Sequence, residues 1–383
     1  YLVDAPAKGM EVLAGGVKET EERPSVLSQI RTDETGRPTG FRTPFYQVEF
    51  AGNGEFDRIV DLEEERSLLQ NGRRGNQIRV FEDRPLEFDA WNIEEYYREK
   101  SWSFDDVQAF EILENGPVRG CVYLKRQFME STLEQYIYFY AHTKRIDFKT
   151  ILDWRQHQLL VKAEFPVDIL ANEATYEIQF GNVKRPTHKN TTWDQARFEV
   201  CAHKWADLSE AGYGVALLND CRYGYDIHDS VMGLTLLKSG IFPNPDADQG
   251  VHEFTYSLYP HQGDFRTGSV IREAYDLNCP LYGMTEQTGQ KKTYSFLTIG
   301  EENVLAETVK QAEDGQGIIV RLYEAWGKRT RVHAAFDEPW KIEECDLAEK
   351  AGRILAENEK TAVFEIKPYE IKTLRLSRSK KGE

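Results

Sequence analysis

Long hydrophobic runs, paired cysteines and positive charge are all scarce in this sequence of 383 residues. No run approaches the roughly 18 consecutive apolar residues of a membrane-spanning helix, so we expect no membrane partner. Lys and Arg number 48 against 64 Asp and Glu, and a net charge of −16 repels phosphate, which argues against a nucleic-acid partner. The 5 cysteines form no Cys-x-x-Cys pair, which argues against a zinc ribbon and favours reduced thiols in a cytoplasmic protein.

Common catalytic and metal-binding signatures are missing as well. The sequence has no Gly-x-Ser-x-Gly turn, no Gly-x-Gly-x-x-Gly turn, no P-loop and no His-Glu-x-x-His motif. The run that begins at Asp246 has Gly250 at its fifth position, whereas an EF-hand calcium loop needs glycine at its sixth. Adjacent carboxylates such as Asp105 and Asp106 are typical of a solvated surface in so acidic a chain. We therefore nominate no catalytic residue and no metal ligand within this sequence.

Alternation of apolar and polar residues with period two is the dominant pattern that is present. The clearest runs are Ile146–Trp154, Val161–Phe165, Tyr176–Phe180 and Phe254–Leu258. Because successive side chains of a strand point to opposite faces, these runs predict half-buried strands of antiparallel sheets. Aromatic residues make up 12% of the chain and also favour strands. Helical signal is thin, and the one clear helix is predicted within Ser269–Asn278, with Ser269 as its cap.

Turn signals and restarting strand patterns predict the organisation of the chain. Asn71–Gly72 is a strong two-residue hairpin signal. We expect an all-β protein with a large antiparallel super-sandwich over residues 31–285, followed by a smaller β-sandwich domain over residues 290–383. The boundary falls in the polar segment 285–292, and residues 1–30 are interpreted as a linker or the remnant of a preceding domain.

A dense polar segment between Gly214 and His228 is the best candidate for ligand binding. A buried strand runs there into a loop that carries Asn219, Asp220, Arg222, Tyr223 and Tyr225. Planar donors and acceptors beside aromatic rings bind hydroxyl-rich ligands. The alternative is a strand-end turn whose Asn and Asp side chains bond their own backbone, and the residues alone leave both interpretations open.

The same loop lies inside one of several long motifs that share a common likeness. These motifs are Val3–Gly9, Gly75–Trp91, Leu218–Asp226, Thr235–Tyr256, Leu258–His261 and Ala312–Glu324. Together they closely resemble the carboxy-terminal region of family 38 glycoside hydrolases, the α-mannosidases. The resemblance extends over nearly the whole chain.

This resemblance implies both a fold and a function. It implies a galactose-mutarotase-like super-sandwich and a smaller sandwich, preceded in the family by a barrel-like catalytic domain and a helical bundle. The implied activity is that of a retaining, metal-dependent α-mannosidase acting on terminal α-D-mannosides of an oligosaccharide, with zinc as the expected metal. Since the family's nucleophile and metal ligands lie in the preceding domains, this chain would hold no cofactor, would support the catalytic domain and would be inactive alone.

The resemblance also gives the candidate loop a role. Asn219–Tyr225 matches a family loop that approaches the sugar site, so its polar and aromatic residues are expected to contact substrate. Cys221 and Arg222 differ from the arrangement in some branches of the family, so the resemblance supports Asp220 more directly than Arg222.

Two rival functions stay open. One is a free-standing carbohydrate-binding or structural β-sandwich module. The other is a complete sandwich enzyme of the mutarotase or lyase type that uses a base such as His252. The sequence begins with Tyr1 instead of Met, and we expect a piece of a longer polypeptide whose preceding domains are its partners. A reading frame that continues upstream for several hundred codons would separate the family interpretation from the free-standing module.

Overall fold

The computed structural model describes residues 8–11, 23–283 and 293–378. The chain forms two compact units, a larger one from residues 21–177 and 183–281 and a smaller one from residues 1–20, 178–182 and 282–383. Strands dominate both units, so the all-β prediction is confirmed. The predicted boundary at 285–292 lies outside the described residues, as does most of the predicted linker over residues 1–30.

The described residues form strands β1 to β28, two α-helices and one 3₁₀ helix. In chain order the strands are β1 (Gly9–Glu11), β2 (Ser28–Thr32), β3 (Pro38–Arg42), β4 (Tyr46–Phe50), β5 (Phe56–Asp61), β6 (Arg66–Ser67), β7 (Gln77–Glu82), β8 (Ser101–Ser103), β9 (Asp106–Asn115), β10 (Arg119–Phe128), β11 (Ser131–Tyr140), β12 (Ile146–Trp154), β13 (Leu159–Pro166), β14 (Glu173–Ile178), β15 (Gly181–Pro186), β16 (Val200–Cys201), β17 (Trp205–Ser209), β18 (Tyr213–Asn219), β19 (Gly224–His228), β20 (Val231–Lys238), β21 (Gly250–Gln262), β22 (Thr293–Ser295), β23 (Leu297–Ile299), β24 (Val304–Gln311), β25 (Ile318–Glu324), β26 (Thr330–Cys345), β27 (Ala351–Ile366) and β28 (Ile371–Ser377). The helices are α1 (Thr192–Gln195), α2 (Val270–Asn278) and a 3₁₀ helix at Glu95–Glu99. Within the described part of the chain, no helix is both long and apolar enough to cross a membrane.

Three antiparallel sheets build the larger unit. Their strand orders are β15-β14-β17-β18-β21-β12-β11-β10-β9, β16-β19-β20-β13-β7-β8 and β2-β3-β4-β5-β6. Aromatic rings join the sheets in one core, because Phe148 of β12 lies 5.9 Å from Phe56 of β5 and 5.6 Å from Phe165 of β13, centroid to centroid. The neighbouring strand contributes Tyr256, which stacks on Phe148 at 4.9 Å. The period-two pattern of the sequence thus supplies one apolar face from each sheet.

The smaller unit is an antiparallel sheet with its own apolar core. Its strand order is β23-β26-β28-β25-β24, β27 pairs with β26, and β1 pairs with β22. Val320, Val332 and Leu374 are fully buried in this core. Glu324 is buried too, and its carboxylate accepts hydrogen bonds from the Asn303 side chain and from main-chain N–H groups of the following turn. A charged side chain is tolerated here because its acceptors are filled by donors.

Two local predictions need correction. Asn71–Gly72 does form a turn, and Gly72 takes the left-handed φ of +73° that this turn requires. However, β6 before it and β7 after it lie in different sheets, so the turn switches sheets and makes no hairpin. The helix predicted within Ser269–Asn278 is present as α2, but Ser269 has a φ of +59° and its side chain makes no cap hydrogen bond.

Candidate functional site

The candidate loop connects two different sheets of the larger unit. Strand β18 of the nine-stranded sheet ends at Asn219, and β19 of the six-stranded sheet begins at Gly224. The intervening residues therefore cross from one sheet to the other at the end of both strands. Because such a crossing cannot continue either ladder, its main-chain groups bond to side chains of the loop and to the main chain of neighbouring segments.

Asn219 and Tyr225 are buried and hold the loop from inside. The Asn219 side-chain amide donates to the His203 carbonyl at 2.7 Å and to the Tyr225 hydroxyl at 2.5 Å. Its carbonyl oxygen accepts from the Arg222 main-chain N–H at 2.6 Å, while the Tyr225 hydroxyl donates to the Leu217 carbonyl at 3.2 Å. Neither side chain reaches the surface. Of the five predicted contact residues, these two occupy supporting positions beneath the loop.

Asp220 is half-buried and is hydrogen-bonded to the neighbouring strand β21. The Thr255 N–H donates to its Oδ2 at 3.0 Å, and the Asp220 N–H donates to the Thr255 carbonyl at 3.1 Å. Burial, together with a hydrogen bond to Asp220, raises the pKa of the Cys221 thiol to about 11. The thiol therefore stays protonated at neutral pH and can donate to the carboxylate. The bonds made by Asp220 run to another strand, so it fixes the position of the whole loop.

Arg222 is held over an aromatic ring with one edge directed to a histidine. Its guanidinium lies 4.4 Å from the centre of the Phe254 ring, and its Nη2 is 3.5 Å from His252 Nδ1. His252 Nε2 lies 2.9 Å from the Asp248 carbonyl, which can only accept a hydrogen bond. Nε2 therefore carries the proton of the neutral ring, and Nδ1 is left as an acceptor for Arg222.

Tyr223 is the most exposed of the candidate residues, with 49% of its surface accessible. Its ring meets the edge of the His203 ring at a centroid distance of 5.5 Å. The loop thus offers a carboxylate, a guanidinium and a phenol near one another, which suits it to binding hydroxyl groups. Asp220 is the only carboxylate in 219–225, and glycoside hydrolysis by the retaining route needs two carboxyl groups about 5–5.5 Å apart. The loop therefore has groups suited to hydroxyl-rich ligands but does not supply the hydrolytic pair.

A second polar cluster, on the outer face of the six-stranded sheet, escaped the sequence analysis. Lys162 Nζ lies 2.6 Å from Asp226 Oδ1 and 2.7 Å from Glu199 Oε2. Arg98 Nη1 lies 3.0 Å from Glu164 Oε1, and its Nη2 pairs with the other Asp226 oxygen. The alternating pattern of β13 predicts a half-buried strand with polar residues in solvent. Every residue of β13 is in fact buried, so the prediction of half-burial is wrong for this strand.

Electrostatics in this cluster favour the charged forms. Burial alone would lower the pKa of Lys162, but Asp226 and Glu199 outweigh it and raise that pKa above its ordinary value. Burial would raise the pKa of Asp226, but Lys162 and Arg98 hold it below its ordinary value. Each cation of the network pairs with two carboxylates at short range, and we assign the network a structural role. Across the described ranges, no group of three or more His, Cys, Asp or Glu side chains could hold a metal ion.

Comparison with known proteins places the chain in a family. Residues 41–246 match the model described as "Glycosyl hydrolases family 38 C-terminal domain", and residues 303–374 match "Glycosyl hydrolases family 38 C-terminal beta sandwich domain". The first match alone covers more than half of the chain. Both matches lie in the order expected from the sequence motifs.

Curated relatives carry α-mannosidase names and are much longer. Alpha-mannosidase G of Dictyostelium discoideum is 37% identical over 347 residues, which is 86% of this chain and 32% of the relative. Human Alpha-mannosidase 2C1 is 36% identical over 343 residues, 86% of this chain and 33% of the relative. The chain therefore spans about a third of the length of these relatives.

Solved structures agree on the fold. An alpha-mannosidase from Enterococcus faecalis V583 superposes with a TM-score of 0.72 at 15% identity, covering 88% of this chain and 42% of that one. A family 38 protein from Enterococcus faecalis gives a TM-score of 0.74 at 14% identity over 94% of this chain and 45% of that one. The two family matches, the relatives and the shared fold together establish that the chain belongs to glycoside hydrolase family 38, of which it carries the carboxy-terminal β domains.

Proposed function

We propose that this chain is the carboxy-terminal β region of a cytoplasmic, retaining, metal-dependent α-mannosidase that removes terminal α-D-mannose from oligosaccharides. The observation that carries the proposal is the ordered pair of family 38 matches, together with 37% identity to a protein three times as long. In this proposal the chain supports the catalytic domain of the same polypeptide. It also contributes one wall of the sugar site through the loop at 219–225.

The roles proposed for the loop residues follow their burial. Asp220 accepts hydrogen bonds from sugar hydroxyls, Arg222 donates to the sugar or orients that carboxylate, and Tyr223 offers its exposed ring. Asn219 and Tyr225, which are fully buried, keep the loop in shape. The proposed sugar contacts are therefore three of the five candidate residues, namely Asp220, Arg222 and Tyr223.

The nucleophile, the acid/base carboxylate and the metal are assigned to the preceding domains. The described side chains of this chain do not fit a metal site, since they offer no cluster of three ligands. Zinc, the metal expected for the family, would therefore be held by other parts of the polypeptide. We expect the isolated chain, supplied with zinc, to leave aryl α-mannosides unhydrolysed. Turnover above a buffer blank that survives repurification would overturn this assignment and favour a self-contained sandwich enzyme.

The loop is tested in the full-length polypeptide by steady-state kinetics. Asp220→Ala and Arg222→Ala should each lower kcat/KM by about ten- to a hundred-fold, since a lost hydrogen bond to a charged group costs about 1.5–3 kcal/mol. Asp106→Ala, which removes an exposed carboxylate of β9, is the matched control and should leave kcat/KM unchanged.

Tyr225→Phe separates contact from support. The change keeps the ring but removes a buried hydroxyl, so it should lower the free energy of unfolding by about 1–3 kcal/mol with little change in KM. Thermal melts on the same preparations complete the test. If Asp220→Ala lowers the melting temperature and leaves kcat/KM intact, the loop is a turn and does not contact substrate.

A further inference from the structure

An exposed apolar surface lies on two loops of the larger unit. The first loop, residues 84–96, ends in the first residues of the 3₁₀ helix, and the second comprises residues 240–249. Together they present what we call the aromatic patch, which consists of Leu86, Phe88, Trp91, Tyr96, Ile241 and Phe242. Leu86 is 86% exposed, Trp91 67% and Phe242 63%. Single exposed apolar side chains are ordinary on soluble proteins, but a contiguous group of large ones marks an interaction surface.

Direct contacts hold the two loops side by side. The rings of Phe88 and Trp91 meet edge to face with centroids 6.5 Å apart, and the main-chain N–H of Trp91 donates to the Phe88 carbonyl at 2.7 Å. Between them Asp89 is buried, and its Oδ2 accepts from the main-chain N–H groups of Ile241 at 2.5 Å and Phe242 at 3.2 Å. The patch is therefore formed in advance, and its occupant need not order these loops on binding.

The second loop also connects the patch to the candidate sugar-binding loop. It runs directly into β21, whose His252 bonds the Asp248 carbonyl on one side and faces Arg222 on the other. Phe242 and the His252 that contacts Arg222 therefore lie on one continuous segment of the chain.

Charge around the patch indicates the chemistry of its occupant. Glu87, Glu95, Asp246 and Asp248 are exposed on the same two loops, whereas Arg84 is the only cation within these segments. Such an apolar centre with a charged rim is the usual anatomy of a protein–protein interface. We expect the occupant to present an apolar surface rimmed by Lys and Arg, because opposite charges are complementary across interfaces.

We propose that the aromatic patch is the docking surface for the amino-terminal part of the same polypeptide, the part that carries the catalytic carboxylates. This inference rests on the proposed function and names its partner surface. The curated relatives are about three times as long as this chain. In this family the proposed occupant would therefore belong to the same polypeptide as the patch. Attachment makes docking intramolecular, and a modest apolar contact then suffices for stable closure.

The test is hydroxyl-radical footprinting of native side chains in the full-length polypeptide without substrate. Trp193, which is 80% exposed on α1, is the matched reference for Trp91, and Leu170, which is 84% exposed, is the matched reference for Leu86. Because side chains in an interface core are fully buried, Trp91 should be oxidised at least about tenfold more slowly than Trp193 at every protein concentration. Equal oxidation of the two tryptophans overturns the proposal. Protection that disappears on dilution assigns the patch to a second copy, and protection that needs added mannose oligosaccharide assigns it to sugar, and either result overturns it too.

Variants distinguish failure of docking from failure of the proposed function. In the full-length polypeptide, Trp91→Ser with Phe242→Ser should expose Phe88 to oxidation, whereas Trp193→Ser should not. If the polypeptide lacks α-mannosidase activity while Trp91 is protected, the proposed function fails and docking stands. If it is active while Trp91 is oxidised as fast as Trp193, docking fails and the function stands.

Discussion

The two faces of strand β13, in the six-stranded sheet, are both buried but are stabilised in different ways. On strand β13, Val161, Ala163 and Phe165 join the apolar core, while Lys162 and Glu164 on the opposite face join the ion-pair cluster beneath the 3₁₀ helix. Apolar burial is non-directional and is proportional to area. The ion pairs instead depend on each partner being present at short range. The inner face should therefore tolerate changes that conserve volume, whereas the outer face should lose stability when a partner is removed, most of all when that partner is fully buried.

Removing the central cation should have the largest effect. Lys162→Met should lower the free energy of unfolding by about 3–5 kcal/mol, because it leaves the buried Asp226 and the partly buried Glu199 without their shared lysine. Without Lys162, burial makes the Asp226 carboxyl bind its proton more readily in the folded variant, so stability should fall further as the pH rises. Urea denaturation at acidic and neutral pH measures both effects. Phe165→Leu on the inner face is the control, and a loss that varies with pH in the same way would remove the distinction between the faces.

A buried charge in the nine-stranded sheet, outside the ion-pair cluster, provides the converse test. Arg126 of β10 is fully buried, and within the described part of the chain none of its three side-chain nitrogens has a hydrogen-bond partner. Burial lowers the pKa of its guanidinium. Arg126→Met should raise the free energy of unfolding by about 1–4 kcal/mol, because an apolar side chain suits that position better than an unpaired charge. Denaturant midpoints decide the sign, and a destabilised variant would mean that the charge at Arg126 is compensated.

The same substitution on the outer face should have the opposite sign. Arg98 pairs with Glu164 and Asp226, but about a third of its side chain is exposed, and solvent weakens these contacts. Arg98→Met should therefore lower the free energy of unfolding by only about 1–2 kcal/mol. Measured beside Arg126→Met, it isolates the effect of pairing, since the two variants lose the same atoms. Matching signs for the two would contradict the comparison.

The smallest expected effect is a change in pH dependence. His228 follows Asp226 by two residues on β19 and therefore lies on the same outer face. Burial lowers the pKa of His228 below its ordinary value near 6.5. The unfolded chain then binds protons more readily, so stability should fall as the pH drops below about 6.5. Melting temperatures between pH 7 and pH 5 should fall less steeply for His228→Gln than for the parent, while the exposed-site control His157→Gln should match the parent.

Local features of the chain were predictable because they depend on neighbouring residues. The alternating runs at Ile146–Trp154 and Phe254–Leu258 identify strands β12 and β21, since side-chain direction alternates along any extended backbone. The helix α2 was predicted to within a residue from its apolar spacing. The motif Leu218–Asp226 led to the family, which the comparisons confirm. The exact domain boundary remains a prediction, as does substrate contact by the loop.

The burial of side chains and their bonding partners could not be predicted, because both depend on segments that are far apart in the sequence. The residue types at 219–225 indicate a ligand site, yet only the packing of β18 against β19 decides that Tyr225 is buried while Tyr223 is exposed. The turn at Asn71–Gly72 has the local chemistry of a hairpin, but the flanking strands pair with different partners. Local geometry sets the turn, and long-range pairing decides what it connects.

By itself, the sequence determined the class of fold, the family and the types of residue at the candidate site. These follow from periodicity, composition and motif order, all of which are properties of the chain read in one dimension. Tertiary structure alone decided that Lys162 is paired and buried and that Arg126 is buried with no hydrogen-bond partner among the residues the structure describes. It also decided that Asp89 joins Phe242 from 153 residues away to form the aromatic patch. The physical reason is that desolvation and ion pairing depend on distances in space, and only the packing of distant chain segments sets those distances.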